Sequence, residues 1–370
     1  MFKLNNNPIQ QNPIPFYTNI SATVNTTRVN YDDMYYYNAA VSNIIYPSRN
    51  IHWRPHAVIL VPSDMWQYGT CASSIVHFPV NAPVLFTERN YMPPVIINEI
   101  LRLDPSGMDV PAKVLIVGPI SKGVEDYIKT FGLTTYRITS SEDVFNACIE
   151  IADFRLNVVA PTSEEGKNDI IVMSGENYAE GIISAFYAAH KGIPIIIVRQ
   201  NDIPQPIQNF ISRNRNKNYY IVGSTYTISE IVESQIRNMI QGNVFRINGH
   251  DPFTISVNFS KYESPVDMFG WKHNKKDGWA FSFSDLSKWY HIISSVPFAH
   301  LGKHTPLLLV NSNNLPEVVR NYVISVNPDK EMPDMPPYMH AYILGSFYDI
   351  SHDTQVEIEK VMDIQSKMEH

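Results

Sequence analysis

The stretches NAPVLFTERNYMPPVI from Asn81, KGIPIIIVRQNDIPQPI from Lys191 and KHTPLLLVNSNNLPEVV from Lys303 follow one pattern. In each, a proline opens a short apolar run, a polar stretch follows, and a second proline stands ten residues after the first: Pro83 with Pro93, Pro194 with Pro204, Pro306 with Pro316. The first prolines are 111 and 112 residues apart. Self-similarity at a fixed period decides the architecture before any single motif is read, because each copy must fold as the same small unit.

Two further elements recur. A second apolar run ends in glycine in KVLIVG to Gly118, NYYIVG to Gly223 and AYILG to Gly345, and a helical pattern with an early serine and acid follows each: ISKGVEDYIKTF, ISEIVESQIRNMI and ISHDTQVEIEKVM. Serine before an apolar 3.6-residue period, with Glu or Asp in the first turn, is an N-cap signal, and the glycine permits a sharp turn off the strand. Ahead of both lie HAVILVPS (56–63), NDIIVMSG (168–175) and, less regularly, GWAFSFSD (278–285). Continuous Val/Ile-rich runs bounded by turn residues are the mark of strands covered on both faces, as in parallel sheets. Helix-length segments separate these runs, GENYAEGIISAFYAAHKG being the most regular. Strand and helix thus alternate, and right-handed crossovers make each copy a doubly wound three-layer α/β unit.

Each copy opens on an arginine: Arg28 in RVNYDDMYYYNAAVSNI, Arg137 in YRITSSEDVFNACIEIA and Arg246 in FRINGHDPFTISVNFSKY, spaced 109 and 109 residues apart. The third invites a catalytic reading of His250 with Asp251. The other copies carry Asp32 and Ser141 where His250 stands, so the histidine is incidental. The expected units are an arm at 1–22 and repeats at 23–135, 136–243 and 244–370.

The opening Arg-Ile-x-Gly-x-Asp, the proline-led apolar strand and the strand-Gly-helix resemble the cell wall binding repeat 2 family of Gram-positive, notably clostridial, surface proteins. The resemblance spans roughly Thr23 to Ile364. It implies three Rossmann-like subdomains around a pseudo-threefold axis, and a noncatalytic role in holding proteins to anionic wall polymers. The family's Asp-Arg-Tyr-x-Thr-Ala continuation is only partly kept, in Asp33-Met34-Tyr35, Asp143-Val144-Phe145 and Asp251-Pro252-Phe253. Its Phe-Pro-Asp-Ala aspartate corresponds to Glu180 in repeat 2, to Gly69 in repeat 1 and to the neighbourhood of Lys288 in repeat 3.

A formal charge of -7 argues against nonspecific nucleic-acid binding, which needs Lys and Arg to neutralise phosphates. The two cysteines, Cys71 and Cys148, cannot build a disulfide framework or a thiolate metal site and read as small buried residues. The N-terminal segment has no apolar h-region of the ~7–15 residues a secretory signal needs, and no apolar run approaches the ~20 residues of a membrane span. The expected location is the cell surface or a spore, with the cytoplasm left open by the missing signal.

The residues expected to contact polymer are Arg28, Arg137, Arg246, Trp271, Lys272, Lys275, Lys276 and Trp279. A guanidinium offers a planar fork to phosphate or carboxylate, and WKHNKKDGW sets cations among aromatics; its structural alternative is an exposed loop whose tryptophans cap the core of the third repeat. For the arginines, the structural alternative is an ion pair with the acid five residues on, Asp33, Glu142 or Asp251, pinning the opening loop. Ser174, Gly175 and Asn177 follow a strand at the carboxyl edge of a sheet and are candidates for an anion at a helix start. SRNRNKN (212–218) is basic and reads as a solvated turn. No dinucleotide fingerprint, phosphate-loop lysine or nucleophile elbow is present, and the pairs His300/His304 and His52/His56 lack a third ligand. Neither cofactor nor metal is expected. Tyr35, Tyr36, Tyr37, Trp53, Trp66 and Tyr68 crowd the first repeat and suit packing against another chain. The expected partner is an anionic wall polysaccharide or identical subunits in a self-assembling layer, spore or filament; the remaining alternative is a cytosolic ligand-binding regulator.

Overall fold

The computed structural model describes residues 20–47, 50, 54–159, 167–301, 303–328 and 339–363. The N-terminal arm before residue 20, and His52 and Trp53, lie outside the described residues.

Three sheets alternate with helices. The first is built from β3 (Val58–Pro62), β4 (Val84–Thr87), β5 (Val114–Ile116) and β6 (Thr135–Arg137), in the order β4-β3-β5-β6. The second, from β7 (Asp169–Ser174), β8 (Ile195–Val198), β9 (Asn218–Val222) and β10 (Val244–Ile247), repeats that order as β8-β7-β9-β10. In the third, β11 (Ala280–Ser284), β12 (Leu307–Leu309) and β13 (His340–Leu344) are joined by β2 (Thr26–Val29) and β1 (Ile20–Ala22), in the order β12-β11-β13-β2-β1. Among the described residues these strands all pair in parallel except in the β1–β2 hairpin. Each four-residue core of β4 and β8, and all of β3 and β7, is buried, as a parallel sheet covered on both faces requires.

The strand that carries the arginine of one sequence copy completes the sheet of the copy before it. Arg137 lies opposite Ile116, Arg246 opposite Ile221 and Arg28 opposite Ile343, each two residues ahead of the terminal glycine of its partner strand. In the third sheet that place is taken by the N-terminal β2. The three units therefore exchange strands in a closed cycle.

Helices follow the same exchange. The opening helices are α1 (Met34–Ile45), α5 (Val144–Asn157) and α9 (Pro252–Lys261). α1 packs on α10 (Trp289–Ser295) of the third unit and α5 on α2 (Trp66–Ala72) of the first. Next to them, α6 (Ser184–Lys191) lies against the 3-10 turns Ser73–Val76 and Val296–Ala299, so the short helices of all three units meet centrally. Gly69 is needed there: a Cβ would stand 2.7 Å from Ile293.

The proline pattern acts twice. Pro93, Pro204 and Pro316 are the N-caps of α3 (Pro94–Leu103), α7 (Gln205–Arg213) and α11 (Glu317–Val326), where a missing N–H costs no hydrogen bond. The glycine-terminated strands lead into α4 (Lys122–Lys129), α8 (Glu230–Met239) and α12 (His352–Met362) through Gly118, Gly223 and Gly345, at φ 84°, 140° and 135°. Ser121 and Ser351 cap α4 and α12 through their side chains; Ser229 precedes α8 without doing so. The helical pattern in GENYAEGIISAFYAAHKG begins late, at Ser184. Gly181 is pressed against Met173, where a Cβ would come within 2.7 Å, and Glu180 turns toward the neighbouring loop, so the first part is a series of turns.

Candidate functional site: stapled loops at the sheet edges

At the carboxyl edge of each sheet the repeated arginine donates to the carbonyl of the strand-ending glycine. Arg137 Nη1 reaches Gly118 O at 3.4 Å, Arg246 Nη1 reaches Gly223 O at 2.9 Å and Arg28 Nη1 reaches Gly345 O at 3.0 Å. A second donation goes to the residue four past the serine of the following helix: Glu125 at 2.9 Å, Glu233 at 2.7 Å and Gln355 at 2.8 Å. The matching register places each guanidinium over the strand-to-helix turn, and the arginine fastens turn to helix.

Burial separates the three. Arg28 is wholly buried, donates also to Ser346 O at 2.8 Å and Ser351 O at 3.3 Å, and lies 4.3 Å from the centre of the Phe347 ring. Burial lowers its pKa to about 10, with Asp349 opposing. Arg137 and Arg246 keep 24% and 9% of their side chains exposed and face a carboxylate. The hydrogen bond from Lys129, followed by those from Arg137 and Thr135, holds Glu125 at about 2. Burial would raise Glu233, but the hydrogen bonds of Arg237 and Arg246 outweigh it and its pKa is lowered. The neutral Gln355 avoids placing a buried carboxylate beside Arg28, where desolvation would cost both ions.

The expected pairing of each arginine with the acid five residues on is not what forms. Asp33, Asp143 and Asp251 instead cap α1, α5 and α9, accepting from Tyr35 and Tyr36, from Phe145 and from Thr254. Glu142 is exposed and lies 3.7 Å from Arg89. An acid at a helix start is held by the first free amides, which are nearer than the strand behind it.

The turns themselves are clamped by carboxylates that sequence reasoning did not place. In the second unit Glu180 accepts from Ser224 N at 2.7 Å, Ser224 Oγ at 2.9 Å and Thr227 Oγ1 at 2.6 Å. In the third unit Lys288 takes the place of Glu180, and the carboxylate moves onto the turn: Asp349 accepts from Ser346 N and Ser346 Oγ, both at 2.9 Å, and pairs with Lys288 at 2.8 Å. The offset of Glu180 and Lys288 from their strands was visible in sequence; their partner loops were not.

Ser174 Oγ accepts from the amides of Glu176 and Asn177, and Asn177 Oδ1 accepts from Ala179 N. Gly175 N donates to Val198 O at 2.7 Å. These three candidates thus lie together at a sheet edge, ten to seven positions ahead of the start of α6, with the amides of Gly175, Glu176 and Ala179 already donated.

The WKHNKKDGW candidates are divided. Trp271 is buried and stacks on His190 at 4.7 Å, and Trp279 stacks on His273 at 3.8 Å and donates to Lys275 O. Lys272 lies 3.8 Å from Glu263. Lys275 and Lys276 are exposed, and Lys276 with Lys360, Ile324, Asn327, Pro328, Val361 and Asp363 lines an open pocket of about 250 Å³. A second pocket, of about 490 Å³, is lined by Lys167, Arg213 and Lys217 together with Asp153, which pairs with Arg213 at 3.1 Å.

The histidines serve packing between units. His300 Nε2 lies 2.8 Å from Asn81 Oδ1 and His304 Nδ1 3.2 Å from His190 Nδ1. Burial lowers His190 to about 2 and His300 to about 3. Among the described residues no group of three or more His, Cys, Asp and Glu could hold a metal ion, and no helix is long and apolar enough to cross a membrane. Both cysteines are buried. The aromatics of the first repeat, expected to meet another chain, are largely spent within this one. Tyr37 is buried with its hydroxyl 2.9 Å from Ser295, Tyr68 donates to Ser141 O, Tyr35 lies 3.0 Å from Ser63, and Trp66 meets Tyr178 edge-on. A closed cycle gives each unit two neighbours, and large side chains fill those joints; Tyr36 alone of the described five is more than a third exposed.

Residues 139–233 match the profile of Cell wall binding domain 2 (CWB2). The amidase enhancer of Bacillus subtilis (strain 168) is 27% identical over 217 residues, covering 57% of this chain and 27% of that protein. Among solved structures, Cwp8 from Clostridium difficile superposes with a TM-score of 0.71 at 19% identity, over 93% of this chain and 53% of that one. Cwp6 from Clostridium difficile gives 0.70 at 17% identity, over 90% and 47%. The chain therefore spans about half the length of these solved chains and about a quarter of the amidase enhancer.

Proposed function

We propose, from the match of residues 139–233 to cell wall binding domain 2, that the three units together form a noncatalytic module that binds an anionic cell-wall polysaccharide at the cell surface. The observation that carries the reading is the fold likeness over 93% of the chain to Cwp8, combined with the family match in the central unit. In this reading the repeats 23–135, 136–243 and 244–370 are the sequence units, and the exchanged strands lock them into one rigid body.

The anionic groups of the polymer are met at the two open basic pockets, by Lys276 and Lys360 in one and by Arg213, Lys217 and Lys167 in the other, with the exposed Lys275 next to Lys276 in the chain. The net charge of -7 makes such contacts local, so binding weakens as salt screens them. Arg28, Arg137 and Arg246 act one step back, by holding the turns.

The test is co-sedimentation of the purified protein with cell walls from a Gram-positive bacterium, before and after extraction of their anionic polymer. Retention that disappears with the polymer supports the proposal. Absence of retention on intact walls at low salt overturns it.

A further inference from the structure

Resting on that reading, we propose that Tyr226 and Tyr348 are two repeat-related stacking platforms for the neutral sugar rings of the polymer. Both rings are almost fully exposed, at 84% and 87%. A single exposed tyrosine is ordinary. These two occupy the same position, three residues after Gly223 and Gly345 and three before Ser229 and Ser351.

The turns that present them are rigid, and they are built alike from different charges. In both, the serine after the glycine accepts from the tyrosine's own amide: Tyr226 N to Ser224 Oγ at 3.3 Å and Tyr348 N to Ser346 Oγ at 3.1 Å. In both, a carboxylate holds that serine, Glu180 from the preceding segment in one and Asp349 from the turn itself, backed by Lys288, in the other. Gln200 Nε2 donates to Tyr226 O at 2.6 Å, and Phe347 N donates to Asn30 Oδ1 at 3.3 Å. The clamp has been rebuilt with its charges rearranged, while the ring it holds out stays in place. Packing does not explain the ring, because it touches no core.

The chemistry of the ligand follows. A tyrosine offers a flat apolar face with a polar tip, which suits the C–H face of a pyranose flanked by hydroxyls. The carboxylates of the two clamps are Glu180, Asp349 and Asp32, and the cations at the same turns are engaged: Lys288 pairs with both aspartates, Arg246 bonds Gly223 O and Glu233, and Arg28 bonds Gly345 O, Ser346 O and Gln355. A repeating polymer also suits a repeated single contact, since weak sites on one rigid body add through effective concentration. The first unit lacks the platform: only two residues lie between Gly118 and Ser121, against five in the other turns.

The experiment measures affinity for anionic wall polysaccharide purified from a Gram-positive wall, and for the same polymer after hydrofluoric-acid removal of its phosphates. Proteins compared are the wild type, Tyr226→Ala, Tyr348→Ala, the double variant and the Tyr→Trp pair, each first shown to melt like the wild type. Each alanine should weaken binding to both polymers by about tenfold, the double variant should lose more, and tryptophan should restore it. Wild-type affinity retained in the double alanine variant overturns the proposal and leaves the proposed function standing. No binding of wild-type protein to the intact polymer removes both, and loss only on the phosphorylated polymer overturns the sugar assignment.

Discussion

Arg28 and Gly345 lie 317 positions apart in the chain and are joined by a hydrogen bond of 3.0 Å. That bond repeats, across the ends of the chain, what Arg137 does with Gly118 and Arg246 with Gly223 over 19 and 23 positions. The long-range staple is also the most buried, so the three equivalent arginines are not equal in energy.

Arg28→Ala should cost about 3 kcal/mol or more, because it strands the carbonyls of Gly345 and Ser346 and the amide of Gln355 in a dry site. Arg137→Ala, whose partners reach water, should cost about 1 kcal/mol. Urea denaturation of the two variants ranks them; an equal or reversed order would refute the burial argument.

Asp169 tests the joint between the second and third units. Burial, then the neighbouring Asp267, raises its pKa to about 7, Asn218 and Lys217 oppose, and its Oδ1 has no partner in the structure. The folded protein thus keeps a proton that the unfolded chain releases above 3.8. Stability from this group falls as pH rises from there, and the loss is complete above about 7. Asp169→Asn should melt a few °C higher at pH 8, on the order of 1 kcal/mol, and close to the wild type at pH 4. A shift of the same size at both pH values would rule the linkage out.

The buried histidines act in the opposite direction. Burial holds His190 at about 2, His273 and His300 at about 3 and His291 at about 4. The unfolded chain binds protons below about 6.5 that these folded rings refuse, so their contribution is full above that pH and lost as pH falls toward the folded values. Calorimetry should show net proton uptake on unfolding at pH 5.5; proton release there would contradict the assignment.

Gly192 sits at φ 69°, where a Cβ would fall 1.9 Å from Nη2 of the buried Arg155, whose Nε donates to Gly192 O at 2.8 Å. Gly192→Ala should cost about 2 kcal/mol or more, from the left-handed backbone and displacement of the guanidinium. A melting temperature matching the wild type would show that Arg155 relocates freely.

Much of this fold was legible because its determinants are local. Pro83, Pro194 and Pro306 open strands, Pro93, Pro204 and Pro316 start helices, and Gly118, Gly223 and Gly345 take positive φ, all within one short window. The arginines were found by their period, yet their partners were not. Glu125, Glu233 and Gln355 lie 12 residues before Arg137, 13 before Arg246 and 327 after Arg28, and only the strand exchange brings them together. The candidate site was less legible for the same reason. Trp271 and Trp279 can be read in sequence as ligand-stacking rings or as caps on the core of the third repeat, but the stacking partner of Trp271, His190, comes from another unit. Tyr226 and Tyr348 carry no signal beyond their shared offset from a glycine, which becomes informative once exposure is known.

Open tandem arrays lengthen by stacking one more unit on an exposed end. Here the place beside β13 that a fourth unit's first strand would occupy is filled by β2. Three is thus a number set by topology: an inserted copy would have to break the Arg28 staple and reclose around a wider centre, so further copies would have to close a ring of their own.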